Sequence, residues 1–373
     1  MNTSLKHRWS LGHNYLTGIT AGDWWKLLRA NDFDVDAVYW HRAAFISAVS
    51  MLNAWHRKRE ERLFAEKIRD TKITQPPLFI LGHWRSGTTH LHNLLAQDDE
   101  LFAYPNTYQV INPHTFLTTE ETNTRRFAWL LPSKRPMDNM ALSFKSPQED
   151  EFAPLLTCLM SSYLGVTFPR HEDKYTKFLT FRDASMEERA EWKAAFEWFL
   201  KKLTFKYPER SLLLKSPPHT ARIRLLLEMF PDAKFIHIHR DPITVFQSFR
   251  HYYDTAMWHT YLQKPDRSRV DAEIISRYQI IFDAFFADCK LIPKNHFHEV
   301  SFANLERNPI AVCRDIYKQL DLPDFNFAKT KIAAYIATLQ GYEKNNFFPL
   351  TYAEKNRLRE AWSPYYQQWG YKI

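Results

Sequence analysis

The stretch Gly82-His83-Trp84-Arg85-Ser86-Gly87-Thr88-Thr89 has the residue types and spacing of an anion cradle. Gly82 and Gly87 stand as far apart as the two glycines of a phosphate-binding loop, and Thr89 occupies the place of that loop's Ser or Thr. Glycine lets the backbone curl so that successive N–H groups point inward. A helix beginning near Gly87 adds unpaired N–H groups and the positive end of its dipole. The lysine that reaches the β- and γ-phosphates of a nucleoside triphosphate is replaced by Thr88, and Arg85 places a permanent planar charge inside the loop. The expected ligand is a phosphate ester of another kind.

Three further stretches carry candidate chemistry. Lys215 ends the apolar run Ser211-Leu212-Leu213-Leu214, at the strand end where open α/β sheets gather ligands, although a lysine also snorkels from such ends. Arg240 ends the run Lys234 to His239, and Ser248 follows it on a helix opened by Pro242. An arginine fork and a hydroxyl so placed can converge on one phosphate. Glu149-Asp150-Glu151 precede the apolar stretch Phe152 to Tyr163. They read either as acids of a first helical turn, favoured by its dipole, or as a general base, with Glu149 the first choice and Glu151 the second. His237 and His239 alternate with isoleucines and read as strand residues.

These blocks together resemble the sulfotransferases that use 3′-phosphoadenosine 5′-phosphosulfate (PAPS), closest to their bacterial branch, from about Leu78 to the C-terminus. The resemblance implies that Arg85, Ser86, Gly87, Thr88 and Thr89 hold the 5′-phosphosulfate and that Arg240 and Ser248 hold the 3′-phosphate. It implies that Lys215 steadies the leaving phosphate and that an acidic motif at Glu149 takes the acceptor proton, with no metal. Cytosolic members carry a catalytic His two residues past that Lys; here Pro217 stands there and His219 comes four past, a reserve candidate. Gly341 to Asn346 resembles the family's C-terminal nucleotide-covering loop without its Arg-Lys-Gly triplet, which leaves Lys344 as the phosphate contact.

The elements that must position these groups alternate strand and helix. The expected fold is α/β: a three-layer P-loop-type parallel β-sheet flanked by helices, with residues 1–75 a helical extension and 76–373 the sulfotransferase domain. In the extension, Asp23 is expected to cap one helix and Asp36 a second that ends in the basic stretch His56-Arg57-Lys58-Arg59. Arg42 and Asn53 interrupt its apolar face, so a layer packed on the core is expected over a membrane or partner surface. Ser185 with Glu188 and Thr351 with Glu354 are capping boxes. Phe168 to Arg182 reads as a substrate-side loop.

The chain has 373 residues, 45% hydrophobic and 16% aromatic, ample for a core with rigid pocket walls. Aromatics around residues 102–181 favour a lipophilic alcohol, such as a sterol, as the small-molecule hydroxyl acceptor. The net charge of +8 suits an anionic ligand, but the basic residues are dispersed and match no nucleic-acid motif. Cys158, Cys289 and Cys313 form no ligand spacing and fit a reducing, cytoplasmic setting. No signal peptide is visible, and Ala43 to Leu52 is too short to span a bilayer. Two rivals remain: an ATP- or GTP-dependent phosphoryl transferase, which needs the absent loop lysine and a magnesium-binding Asp such as Asp241, and a non-catalytic nucleotide-binding module.

Overall fold

The computed structural model describes residues 5–130, 135 and 137–372. Five short strands form one all-parallel sheet: β1 (Leu78–Leu81), β2 (Phe102–Ala103), β3 (Ser211–Lys215), β4 (Lys234–His239) and β5 (Phe297–Ser301), in the order β2-β3-β1-β4-β5. β1 lies at the centre, with Ile80 opposite Lys215 on one side and Ile236 on the other. The loop after β1, Lys215 and Arg240 therefore emerge at one edge, the carboxyl ends of neighbouring strands.

Both faces of the sheet are covered, as a parallel sheet requires. Successive side chains point to opposite faces. Phe79, Leu81, Leu212, Leu214 and Phe235 join one core with Trp192, Phe196, Tyr278, Phe282 and Trp362. Leu78, Ile80, Leu213, Ile236 and Ile238 join the other with Leu91, Leu94, Ile316 and Ile332. The first core also takes in Tyr15, Leu16, Ile19, Trp24, Leu27, Tyr39 and Ile46, so the N-terminal helices share their buried surface with the sheet.

Local signals placed many helix ends. Ser185 and Glu188 close a capping box on Met186–Lys206, Thr351 and Glu354 one on Tyr352–Trp369, and Asn308 caps Pro309–Gln319 with the proline in its first turn. Elsewhere tertiary partners prevailed. Thr20, not Asp23, is the N-cap of Ala21–Ala30; Asp23 sits in the first turn and accepts from Thr20 Oγ1 at 2.6 Å. Asp36 precedes only a single 3₁₀ turn, Ala37–Tyr39, because its carboxylate is drawn to Arg170 and the Lys264 N–H. The second helix, Trp40–Asp70, runs through the basic stretch for 31 residues. Phe168 to Arg182 is a chain of short turns, Pro169–His171, Glu172–Thr176 and Lys177–Leu179, rather than an open loop. In the aromatic-rich stretch 102–181, positions 131–134 and 136 lie outside the described residues.

Candidate active site

The turn after β1 is built around two glycines that nothing larger can replace. Gly82 has φ +148°, and a Cβ there would lie 2.6 Å from the Ile238 carbonyl oxygen. Gly87, the N-cap of Thr88–Leu95, has φ +100°, and its Cβ would lie 2.2 Å from the Phe302 ring. Arg85 between them also takes a left-handed φ of 70°, a costly conformation for a residue with a side chain. The Gly82 N–H donates to Thr220 Oγ1 at 2.7 Å, tying the turn to the chain beyond β3. Ser86 folds back to donate to the His83 carbonyl at 2.7 Å. Thr88 is buried and Thr89 half-buried at the start of the helix.

Arg85 extends from the turn to donate through Nε to Ser248 Oγ at 2.9 Å and through a terminal nitrogen to Asp138 at 3.0 Å. Arg240 donates to the Arg85 carbonyl at 3.2 Å and lies 4.3 Å over the Phe302 ring. Arg85, Arg240 and Ser248, distant in the chain, thus form one cluster. Burial, then the neighbouring Arg85 charge, pull the Arg240 guanidinium below its ordinary value. Two guanidinium groups so close, with Asp138 shared between Arg85 and Arg135 at 3.0 and 3.4 Å, make a site suited to an anion. Lys344 stands at its rim: it is exposed and paired with Glu306 at 2.5 Å, so its charge is answered there. The same C-terminal segment reaches over the cluster, with Tyr342 donating to the Asp138 carbonyl at 2.6 Å and Asn345 to the Met137 carbonyl at 2.8 Å.

Beside the turn lies a second constellation. Lys215 Nζ is 2.9 Å from Glu149 Oε1, and Tyr163 donates to Glu149 Oε2 at 2.5 Å. Trp84 of the turn donates in turn to the Tyr163 hydroxyl at 3.1 Å. Burial pulls the Lys215 ammonium below the ordinary lysine value, and Arg135 adds to this against the opposing pull of Glu149. Burial, then the charge of Glu149, push the Tyr163 phenol well above its ordinary value, so it stays a proton donor.

The three acids precede the helix Phe152–Thr157 instead of forming its first turn. Glu149 meets Lys215. Asp150 is fully buried, accepts the Lys215 N–H at 3.0 Å and pairs with His219 Nε2. Burial raises its carboxyl, but the charge and hydrogen bond of His219 outweigh this and leave it below the ordinary value. Glu151 is fully buried, forked by Arg222 at 2.5 and 2.9 Å, and accepts from Ser161 at 2.6 Å. Glu151 and His219 are therefore poor candidates for a base. Each is locked to a buried partner, and His219 is walled in between Phe79 and Phe196.

Asp241, which the phosphoryl-transfer rival requires on a metal, caps Pro242–Thr255 by accepting from the Thr244 N–H at 2.8 Å. His237 and His239 bond Glu299 and Tyr371. Sequence reasoning missed Tyr163, Asp138, Arg135 and Tyr342. Tyr163 closes the marked apolar stretch and Tyr342 lies in the marked C-terminal loop, but no spacing gave either a role; Asp138 and Arg135 sit in no pattern. Among the described residues no group of three or more His, Cys, Asp or Glu could hold a metal ion.

A glycine turn leading into a helix at the carboxyl edge of a parallel sheet, with arginines on one side and a Lys–Glu pair on the other, defines a phosphate-loop transferase. The chain belongs to the sulfotransferase family, whose profile matches residues 76–326, and it is an enzyme of that kind. It is 34% identical over 354 residues to the omega-hydroxy-beta-dihydromenaquinone-9 sulfotransferase Stf3 of Mycobacterium bovis, covering 95% of this chain and 90% of that one. The Mycobacterium tuberculosis Stf3 matches equally. In fold it resembles sulfotransferase STF9 of Mycobacterium avium, with TM-score 0.71 and 18% identity over 94% of this chain and 96% of that one. Sulfotransferase STF1 of Mycobacterium tuberculosis H37Rv follows, with TM-score 0.66 and 16% identity over 93% and 94%.

Proposed function

We propose that the enzyme moves the sulfuryl group of PAPS to the hydroxyl of a lipophilic alcohol, with Glu149 as general base. The observation that carries this reading is the Glu149–Lys215 pair beside the Gly82–Thr89 turn. One side chain can take the acceptor proton and the other can answer charge on the leaving oxygen. The turn, with Arg85, Ser86, Gly87, Thr88 and Thr89, would hold the 5′-phosphosulfate. Arg240 and Ser248 would hold the 3′-phosphate that separates PAPS from ATP. In the step, the bond from sulfur to the bridging phosphate oxygen breaks as the acceptor oxygen bonds to sulfur. The acceptor proton passes to Glu149 and the bridging electron pair stays on the phosphate, facing Lys215. Residues 76–373 form the transferase domain in this reading, with residues 1–75 as its helical extension.

Support for a lipophilic acceptor comes from two directions. The relative at 34% identity is a sulfotransferase of a hydroxylated menaquinone. Around Glu149, the wall is aromatic: Trp84 stacks on Phe249 at 5.5 Å, and Tyr163, Phe152 and Tyr15 follow one another at 5.5 and 5.4 Å. A cytoplasmic setting, where PAPS would be supplied, accords with the three free thiols.

The test is transfer of labelled sulfate from PAPS to a panel of isoprenoid and sterol alcohols and to phenols, alongside competitive binding of PAPS and ATP with magnesium. Transfer to a lipophilic alcohol with PAPS preferred is the expected result. Tight ATP binding without PAPS binding would sink this reading, and PAPS binding without any transfer would favour a non-catalytic module.

A further inference from the structure

We infer that the outer face of the helix Trp40–Asp70 docks on the headgroup region of an anionic lipid bilayer. This helix packs one side on the body and turns an apolar stripe outward over its first half. Its inner stripe, Ile46, Ser50, Glu60 and Ile68, is buried against the body. The residues that break the apolar pattern serve that inner side: Arg42 donates to the carbonyls of Trp258 and Tyr261, both at 2.9 Å, and Asn53 to those of Thr17 and Ile19, at 2.8 and 2.9 Å. The opposite stripe, Trp40, Ala44, Ala48, Met51, Leu52 and Trp55, recurs at helical spacing and faces solvent. Trp40 is 65% exposed, Met51 70%, Leu52 56% and Trp55 59%. Trp40 donates to the Val35 carbonyl at 3.0 Å, beside the turn that carries exposed Phe33, which packs edge-on against exposed Trp25.

Charge decides the occupant. The same outer stripe continues as Lys58, Arg59 and Arg62, all exposed. Among the described residues none of the three pairs with a carboxylate, while the neighbouring acids Glu61 and Glu66 are taken by Arg57 and Arg69. Tryptophan and leucine flanked by free cations is the composition that settles at a lipid–water boundary, where the rings reach the acyl edge and the cations meet phosphate. A second copy of the chain fits poorly. A parallel pairing sets cations against cations, and an antiparallel one buries them on the apolar half. No helix among the described residues is long and apolar enough to cross a membrane, so the contact is tangential. The inference does not depend on which alcohol is sulfated.

Co-sedimentation of the full chain with phosphatidylcholine vesicles, with and without phosphatidylglycerol, tests it. Binding is expected with phosphatidylglycerol and should weaken with salt. The variant Lys58→Gln/Arg59→Gln/Arg62→Gln is expected to bind roughly a hundredfold more weakly. Leu52→Ser/Trp55→Ser should bind at least about tenfold more weakly, with an unchanged unfolding transition because these side chains are exposed. The inference is overturned if the wild type stays in the supernatant with anionic vesicles, or if both variants bind as it does. A concentration-dependent dimer abolished by Leu52→Ser/Trp55→Ser would assign the face to a second copy and equally overturn it.

Discussion

At the scale of single residues, Glu149, Asp150 and Glu151 are chemically alike and have three different fates. Glu149 faces a lysine and a tyrosine in a half-open site; the other two are locked into buried pairs. Glu149→Gln keeps the shape but removes the proposed proton acceptor. Turnover is expected to fall about 10²- to 10⁴-fold, with nucleotide binding by calorimetry preserved. Glu151→Gln should behave in the opposite way. It leaves the Arg222 guanidinium partly unanswered in the interior, so denaturant unfolding should show a loss of about 3–5 kcal/mol. If Glu151→Gln proves stable and inactive while Glu149→Gln keeps its rate, the roles assigned to the two residues are wrong. The spacing alone could not sort the three acids, because Lys215 and Arg222, which claim them, lie 65 to 71 residues away along the chain.

At the scale of elements, the segments that carry their own physics were legible. The glycine turn, the helix Thr88–Leu95, the capping boxes and the strand ends at Lys215 and Arg240 follow from local composition. What local composition could not reveal was set by distant contacts. The acids stop short of a helix because β3 and the turn after it claim them, and Asp36 gives up a cap to Arg170. The glycine turn also makes a sharp prediction. Gly87→Ala would place a methyl group 2.2 Å from the Phe302 ring at φ +100°. A backbone strain of about 1–3 kcal/mol adds to that clash. Thermal unfolding should shift downward and affinity for adenosine 3′,5′-bisphosphate should drop; a variant with both unchanged would show that the turn is not the rigid cradle described.

At the scale of the whole molecule, buried imidazoles make the fold sensitive to acid. Burial pushes His83 and His92 from 6.5 down to about 3, so both stay neutral in the folded protein. Between these values the unfolded chain binds protons that the folded chain refuses. Their contribution is complete above pH 6.5 and is lost as pH falls toward 3. The melting temperature should therefore decline steadily from pH 7 to pH 4, and His92→Leu should flatten that decline; an identical slope would exclude this origin. The paired stretches 149–151 and 215–222 have a consequence of a different sort. Asp150 and Glu151 work as a jig: two dowels seated in the interior hold the workpiece, Glu149, in line with its lysine. The aim of Glu149 is thus set from the interior, and wear at Arg222 would loosen the body of the protein together with that aim.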